Sequence, residues 1–191
     1  MILGIDASNI NSGGGLNHLI NILNSNKFKI KDFKKIFVWG NKNTLMQIKN
    51  KKEIIKKSHF LLEKHFIIRI LWNIFFLKSE LKLNNCDALL SLGGYSIINF
   101  SPTISISQNL LLFESHEIKN YAFHPMRLKL LILRYLQIKT FNRVEGLIFL
   151  SNYAQKVILP TLKNKPQNAV ISHGVNKNFF FNKKKEIIDI N

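Results

Sequence analysis

Near the amino terminus, Gly13, Gly14 and Gly15 follow the polar residues Asn9, Asn11 and Ser12 and precede Asn17 and His18. Backbone amides with no Cβ beside them are open donors. A helix that starts there directs its positive dipole end at the same point, so the stretch can cradle a phosphate or another anion. A triple glycine is equally the mark of a tight turn. The spacing sets a limit, because contiguous glycines do not make G-x-G-x-x-G and the dinucleotide fingerprint is missing. Further polar and glycine residues recur downstream as Gly93-Gly94-Tyr95, Gln108-Asn109, Ser151-Asn152 and His173-Gly174.

The elements that would position these residues follow from hydrophobic periodicity. Residues 2–6 form a continuous apolar run ended by Asp6, the pattern of a parallel strand covered on both faces. Leu16, Leu19, Ile20 and Leu23 lie on one stripe of a helix starting at about residue 16. The alternation continues with strands at 35–39, 59–62, 88–92, 103–107, 146–150 and 169–172 and helices from residue 44 and over 66–83, 126–143 and 153–159. Pro125 suits a first helical position, Ser151 or Asn152 can cap the next helix, and Pro160 ends it. This β-α alternation predicts an α/β, Rossmann-like parallel sheet with helices on both faces. Ligands gather at the C-terminal ends of such strands, where Asn9, Ser12 to Gly15, Gly93 to Tyr95, Gln108, Asn109, Ser151, Asn152, His173 and Gly174 all fall.

Composition narrows the function classes. The 191 residues suit one domain, and a 46% hydrophobic share with 15 Phe fits a globular chain with a real core. The formal charge of +17 points to nucleic acid or an anionic membrane surface. Nucleic acid ranks lower, since no DNA- or RNA-binding module accompanies the lysines, and Lys42, Lys49, Lys51, Lys52, Lys56 and Lys57 are expected to decorate a solvated helix and the loop after it. Cys86, the sole cysteine, rules out a disulfide framework and a thiolate zinc cluster, and reads as a small buried hydrophobe. No metal site and no resident cofactor are expected. The amino terminus lacks the pattern of a signal peptide, so a cytoplasmic location is the expectation. The greasy segment 66–77 is interrupted by Arg69 and Asn73 and is shorter than the ~20 residues that span a bilayer. Helix 126–143 mixes leucines with Arg127, Lys129, Arg134, Lys139 and Arg143. Core burial is the first expected use of those leucines, and peripheral contact with the inner face of the membrane the second. A Rossmann oxidoreductase is disfavoured because no acidic ribose-binding residue stands near Trp39-Gly40-Asn41.

Taken in order, Ile5-Asp6-Ala7-Ser8-Asn9, Ser12-Gly13-Gly14-Gly15-Leu16-Asn17-His18-Leu19, Ser91-Leu92-Gly93-Gly94-Tyr95, Ser107-Gln108-Asn109-Leu110, Glu145-Gly146-Leu147-Ile148-Phe149-Leu150-Ser151-Asn152-Tyr153-Ala154 and Ile171-Ser172-His173-Gly174-Val175-Asn176 span most of the chain. Together they resemble the N-terminal domain of group 1 (family 4) glycosyltransferases with the GT-B fold. The resemblance implies a retaining transferase that takes a nucleotide-sugar as co-substrate and a glycan or lipid-linked acceptor, in cell-surface polysaccharide synthesis. It places the glycine loop at the cleft between two domains, with Asn9, His18, Gln108 and Asn109 orienting hydroxyls. His173-Gly174-Val175 resembles the family's turn toward its nucleotide-sugar domain; His173 is equally readable as a structural, hydrogen-bonded histidine. Many relatives carry a histidine just after the fifth strand, where this chain has Gln108 and Asn109, and an amide cannot serve as a base near neutral pH. By the same resemblance, residues 1–175 are expected to form the acceptor-side domain. Residues 176–191 are expected to be a remnant of the interdomain linker with the donor-binding domain absent, which makes the chain a truncated product, a split-gene half or a domain that acts with a separate donor-binding partner. A non-catalytic glycan- or anion-binding module is the alternative.

Overall fold

Leu3 and Ile5 turn to one face of a sheet and Gly4 to the other, and all three are buried, which is why the run at residues 2–6 carries no polar alternation. The computed structural model describes residues 1–25, 32–114, 116 and 125–172. Within them the strands are β1 (Ile2–Asp6), β2 (Lys35–Trp39), β3 (Ile54–Lys57), β4 (Ala88–Ser91), β5 (Thr103–Ser107), β6 (Gly146–Phe149) and β7 (Gln167–Val170). All pair in parallel, in the order β3-β2-β1-β4-β5-β6-β7, with Ile5 opposite Val38 on one side and Leu90 on the other. The fold is α/β and Rossmann-like, and the direction of winding reverses between β1 and β4.

Helices cover both faces. On one, α1 (Gly13–Asn24) and α2 (Lys42–Met46) pack Leu16, Leu19, Leu23 and Leu45 onto Leu3, Ile5, Ile36 and Val38. On the other lie α3 (Phe66–Trp72), a π-helical turn (Asn73–Leu77) and α4 (Lys78–Leu83), whose Trp72, Leu77 and Leu81 meet Phe37, Trp39 and Leu89. The same face carries α5 (Pro125–Phe141) and α6 (Asn152–Ile158), which bury Leu133, Leu136, Phe141 and Ile158 with Leu147 and Phe149.

Four expectations are corrected. The third strand is Ile54–Lys57 and not 59–62, where Phe60–Glu63 form a 3-10 turn capped by His59, whose Nδ1 accepts from Leu61 N–H at 3.2 Å. Lys56 and Lys57 therefore sit on an edge strand and not on a helix and its loop. Lys56 Nζ donates to Ile48 O at 2.5 Å and Asn50 Oδ1 at 2.7 Å, and lysines on an edge discourage pairing with another chain. Helix α1 starts at Gly13 and not at residue 16, so the glycines form its first turn. Cys86 is half-buried, not fully so, and burial together with the charge of Asp87 pushes its thiol pKa up to about 11, keeping it neutral.

Candidate functional site

At the point where the winding reverses, a crevice of about 320 Å³ opens at the C-terminal ends of the strands. Its lining brings together Asn9, Ser12, Gly14, Gly15, Gly93, Gln108 and Asn109 from the sequence reading with Ile10, Leu92 and Gln137, which that reading missed. The loop after β1 is held in place by a local network. Ile10 N–H donates to Ala7 O at 2.9 Å, Thr44 Oγ1 donates to Ile10 O at 2.6 Å, and Asn41 Nδ2 donates to Asn11 Oδ1 at 2.5 Å. Asn41 also caps α2 by accepting from Thr44 N–H at 2.7 Å, so one buried amide ties the glycine loop to the next helix.

Close approach explains two glycines. A Cβ on Gly93 would lie 2.9 Å from Asn9 Cβ, so the loops after β1 and β4 can meet only over bare backbone there. A Cβ on Gly15 would lie 2.5 Å from Gln108 Oε1 and 3.1 Å from Ile10 Cδ1. Ser12 occupies the N-cap without closing the first-turn donors through its side chain, and no acidic residue stands in that turn to neutralise the helix dipole.

Two amide groups in the lining are buried without a hydrogen-bond partner among the described residues: Gln108 Nε2, a donor, and Gln137 Oε1, an acceptor. An unsatisfied buried polar atom costs about 1–3 kcal/mol, and a hydroxyl, which both donates and accepts, would satisfy the two together. Gln137 left a faint trace in the sequence, a polar side chain between Leu136 and Ile138 on the leucine-rich stripe of α5. Among the described residues, every side chain lining the crevice is neutral. The crevice can therefore bind, orient and offset charge, while none of these side chains can act as a general base at neutral pH.

No family model, curated protein or solved structure matches this chain.

The remaining candidate residues lie outside this lining. Gly13 and Gly94 hold positive φ values of 72° and 74° at the bends flanking the crevice, a conformation that a side chain would strain. His18 is half-buried on α1, and Tyr95 is fully buried in the core beneath α5. Ser151 and Asn152 are exposed beyond β6, where Ser151 Oγ accepts from Ala154 N–H at 3.1 Å and caps α6. His173 and Gly174 lie outside the described residues. Among the described residues no group of three or more His, Cys, Asp or Glu could hold a metal ion, and no helix is long and apolar enough to cross a membrane.

Asp6 ends β1 as a buried carboxyl group. Its Oδ1 accepts from Ser8 N–H at 2.9 Å and its Oδ2 from Asn73 Nδ2 at 2.6 Å. Asn73 Oδ1 in turn accepts from Ile97 N–H at 3.3 Å, so the π-helical turn links the end of β1 to the segment after β4. The neighbouring Arg69 is also buried, with Nε and Nη1 unpartnered among the described residues, as is the Tyr95 hydroxyl. Burial lowers the Arg69 pKa and raises that of Tyr95, whose phenol stays neutral.

Burial raises the Asp6 pKa above its ordinary value, against the hydrogen bonds from Ser8 and Asn73 that favour the ionised form. The folded protein thus holds this proton to a higher pH than the unfolded chain. The contribution of Asp6 to stability is full below the unfolded carboxylate pKa and is lost as pH rises through the folded value. Asp6→Asn has no proton to lose, so its denaturation midpoint is expected to fall less than the wild-type midpoint between acid and neutral pH. Identical pH slopes for the two proteins would contradict this account of Asp6.

Proposed function

We propose that this chain is the acceptor-side domain of a retaining glycosyltransferase, which moves a sugar from a nucleotide-sugar donor to a glycan or lipid-linked acceptor in cell-surface polysaccharide synthesis. The observation that carries the reading is the switch-point crevice: open first-turn amides of α1 on one wall, and on the other the Gln108 Nε2 and Gln137 Oε1 atoms, buried without partners among the described residues. In this reading, the backbone amides of Gly14 and Gly15 face the charge that develops on the departing diphosphate, where the helix dipole acts in the same direction. Asn9, Gln108, Asn109 and Gln137 hold sugar hydroxyls in register for transfer. With a neutral lining, the acceptor proton passes to the departing phosphate oxygen as the new glycosidic bond forms, which is compatible with retention of configuration. The nucleotide is held by a second, donor-binding domain, and the chain works in the cytoplasm.

The test joins or mixes the full chain with nucleotide-sugar-binding domains and measures sugar transfer to glycan and lipid-linked acceptors. Transfer that appears only in the combination is the expected result. Failure of every such combination to transfer sugar, with the chain correctly folded, would overturn the proposal. The neutral lining favours one second reading, a non-catalytic glycan- or anion-binding module, which would bind ligand in the crevice while rescuing no transfer.

A further inference from the structure

Two neighbouring helices on the sheet face opposite α1 expose apolar side chains at helical spacing. On α3 and the π-helical turn these are Ile67, Leu71, Ile74 and Phe75; on α5 they are Leu128, Leu131 and Tyr135. Phe75 is 67% exposed, Leu128 65% and Tyr135 63%, although each helix also has a buried stripe that already satisfies the core. The helices are adjacent, because Ile70 packs in one cluster with Leu130 and Leu133, and Lys129 Nζ lies 5.4 Å from the Phe66 ring centroid. Scattered surface apolar residues need no explanation, whereas two parallel rows of large ones mark an interaction face.

The charge around these rows selects the occupant. Helix α5 carries Arg127, Lys129, Arg134 and Lys139 and no acidic residue. On α4, Glu80 is turned toward the sheet, accepting from Trp39 Nε1 at 3.2 Å, while Lys82 is exposed. A second copy would bring two cationic rims together in a chain whose formal charge is +17. An anionic bilayer complements both features at once, since aliphatic and aromatic side chains enter the headgroup boundary while lysines and arginines pair with lipid phosphates. We infer that the α3 and α5 face docks this protein on an anionic lipid surface, lying on the membrane without spanning it. The inference rests on these two helices and not on the crevice, so it stands or falls apart from the transferase reading.

Flotation of the full chain with phosphatidylcholine vesicles, and with vesicles in which part of that lipid is replaced by phosphatidylglycerol, tests it. The expected result is partition onto the anionic vesicles alone. The double variant Leu71→Ser/Phe75→Ser is expected to lose at least about tenfold of this partition, and Lys129→Gln roughly fivefold. Leu128→Ser on the second helix is an independent variant should the first fail to fold, with thermal unfolding as the check on each. No partition of the wild type onto anionic vesicles, or folded variants that partition as the wild type does, would overturn the inference. So would light scattering that shows a lipid-free dimer which Leu128→Ser converts to monomer, because the face would then serve a second copy.

Discussion

Asn73→Ala is expected to destabilise the protein by about 3 kcal/mol where Asp6 is ionised. The side chain is fully buried and spans two elements, donating to Asp6 Oδ2 and accepting from Ile97 N–H. Alanine leaves the buried Asp6 carboxyl group with one of its donors missing and a backbone N–H without its acceptor. Hydrogen bonds to charged groups contribute roughly 1.5–3 kcal/mol, and the orphaned N–H adds to the loss. The pH dependence separates this cause from simple loss of packing. A protonated Asp6 has less need of the donor, so the difference between variant and wild type should shrink as pH falls through the raised Asp6 pKa. Urea unfolding over a series of pH values from acid to alkaline measures it. A loss below about 1 kcal/mol, within the range of ordinary surface substitutions and neutral hydrogen bonds, would show that the Asp6 and Asn73 pair does not tie the end of β1 to the segment after β4.

Gly15→Val is expected to do the opposite, leaving the fold nearly intact while abolishing ligand binding in the crevice. The atom its Cβ meets first is Gln108 Oε1, the far end of a flexible side chain that can swing aside, and the next is Ile10 Cδ1 at 3.1 Å. Stability should therefore change by no more than about 1 kcal/mol. The crevice, however, loses both its open backbone wall and the placement of the Gln108 amide. Affinity for inorganic pyrophosphate, used as a stand-in for the departing diphosphate, should fall at least tenfold, or ~1.4 kcal/mol. Calorimetric titration of the two proteins checks this. Equal affinities in two equally folded proteins would remove Gly15 from the site.

How much could be read in advance follows from what each residue responds to. β1, β2 and β5 have the boundaries the sequence implies; in β1 and β2 the cause is an apolar run buried on both faces, whereas in β5 Ile104 and Ile106 alternate with Thr103, Ser105 and Ser107. The edge strand β3 was misplaced because Ile54-Ile55-Lys56-Lys57 shows no such run; its lysine stems lie along the sheet while their amines find carbonyls and a ring. Arg69 and Asn73 read as polar interruptions of a greasy helix, and only the tertiary structure places them beside Tyr95 and Asp6. The loop residues of the crevice were legible from the rule that ligands gather at strand ends. Gln137 was not, since it reaches the crevice from a helix and its role depends on a contact with no local signature.

The central claim is that bare amides and neutral side chains at the switch point form the ligand site, and amide chemical shifts of the isotope-labelled full chain during titration with pyrophosphate test it most directly. The account predicts saturable shifts at the Gly14 and Gly15 backbone amides and at the Gln108 and Gln137 side-chain amides, all of which line one crevice. Shifts confined to the exposed lysines, with these four groups unmoved at saturation, would contradict it.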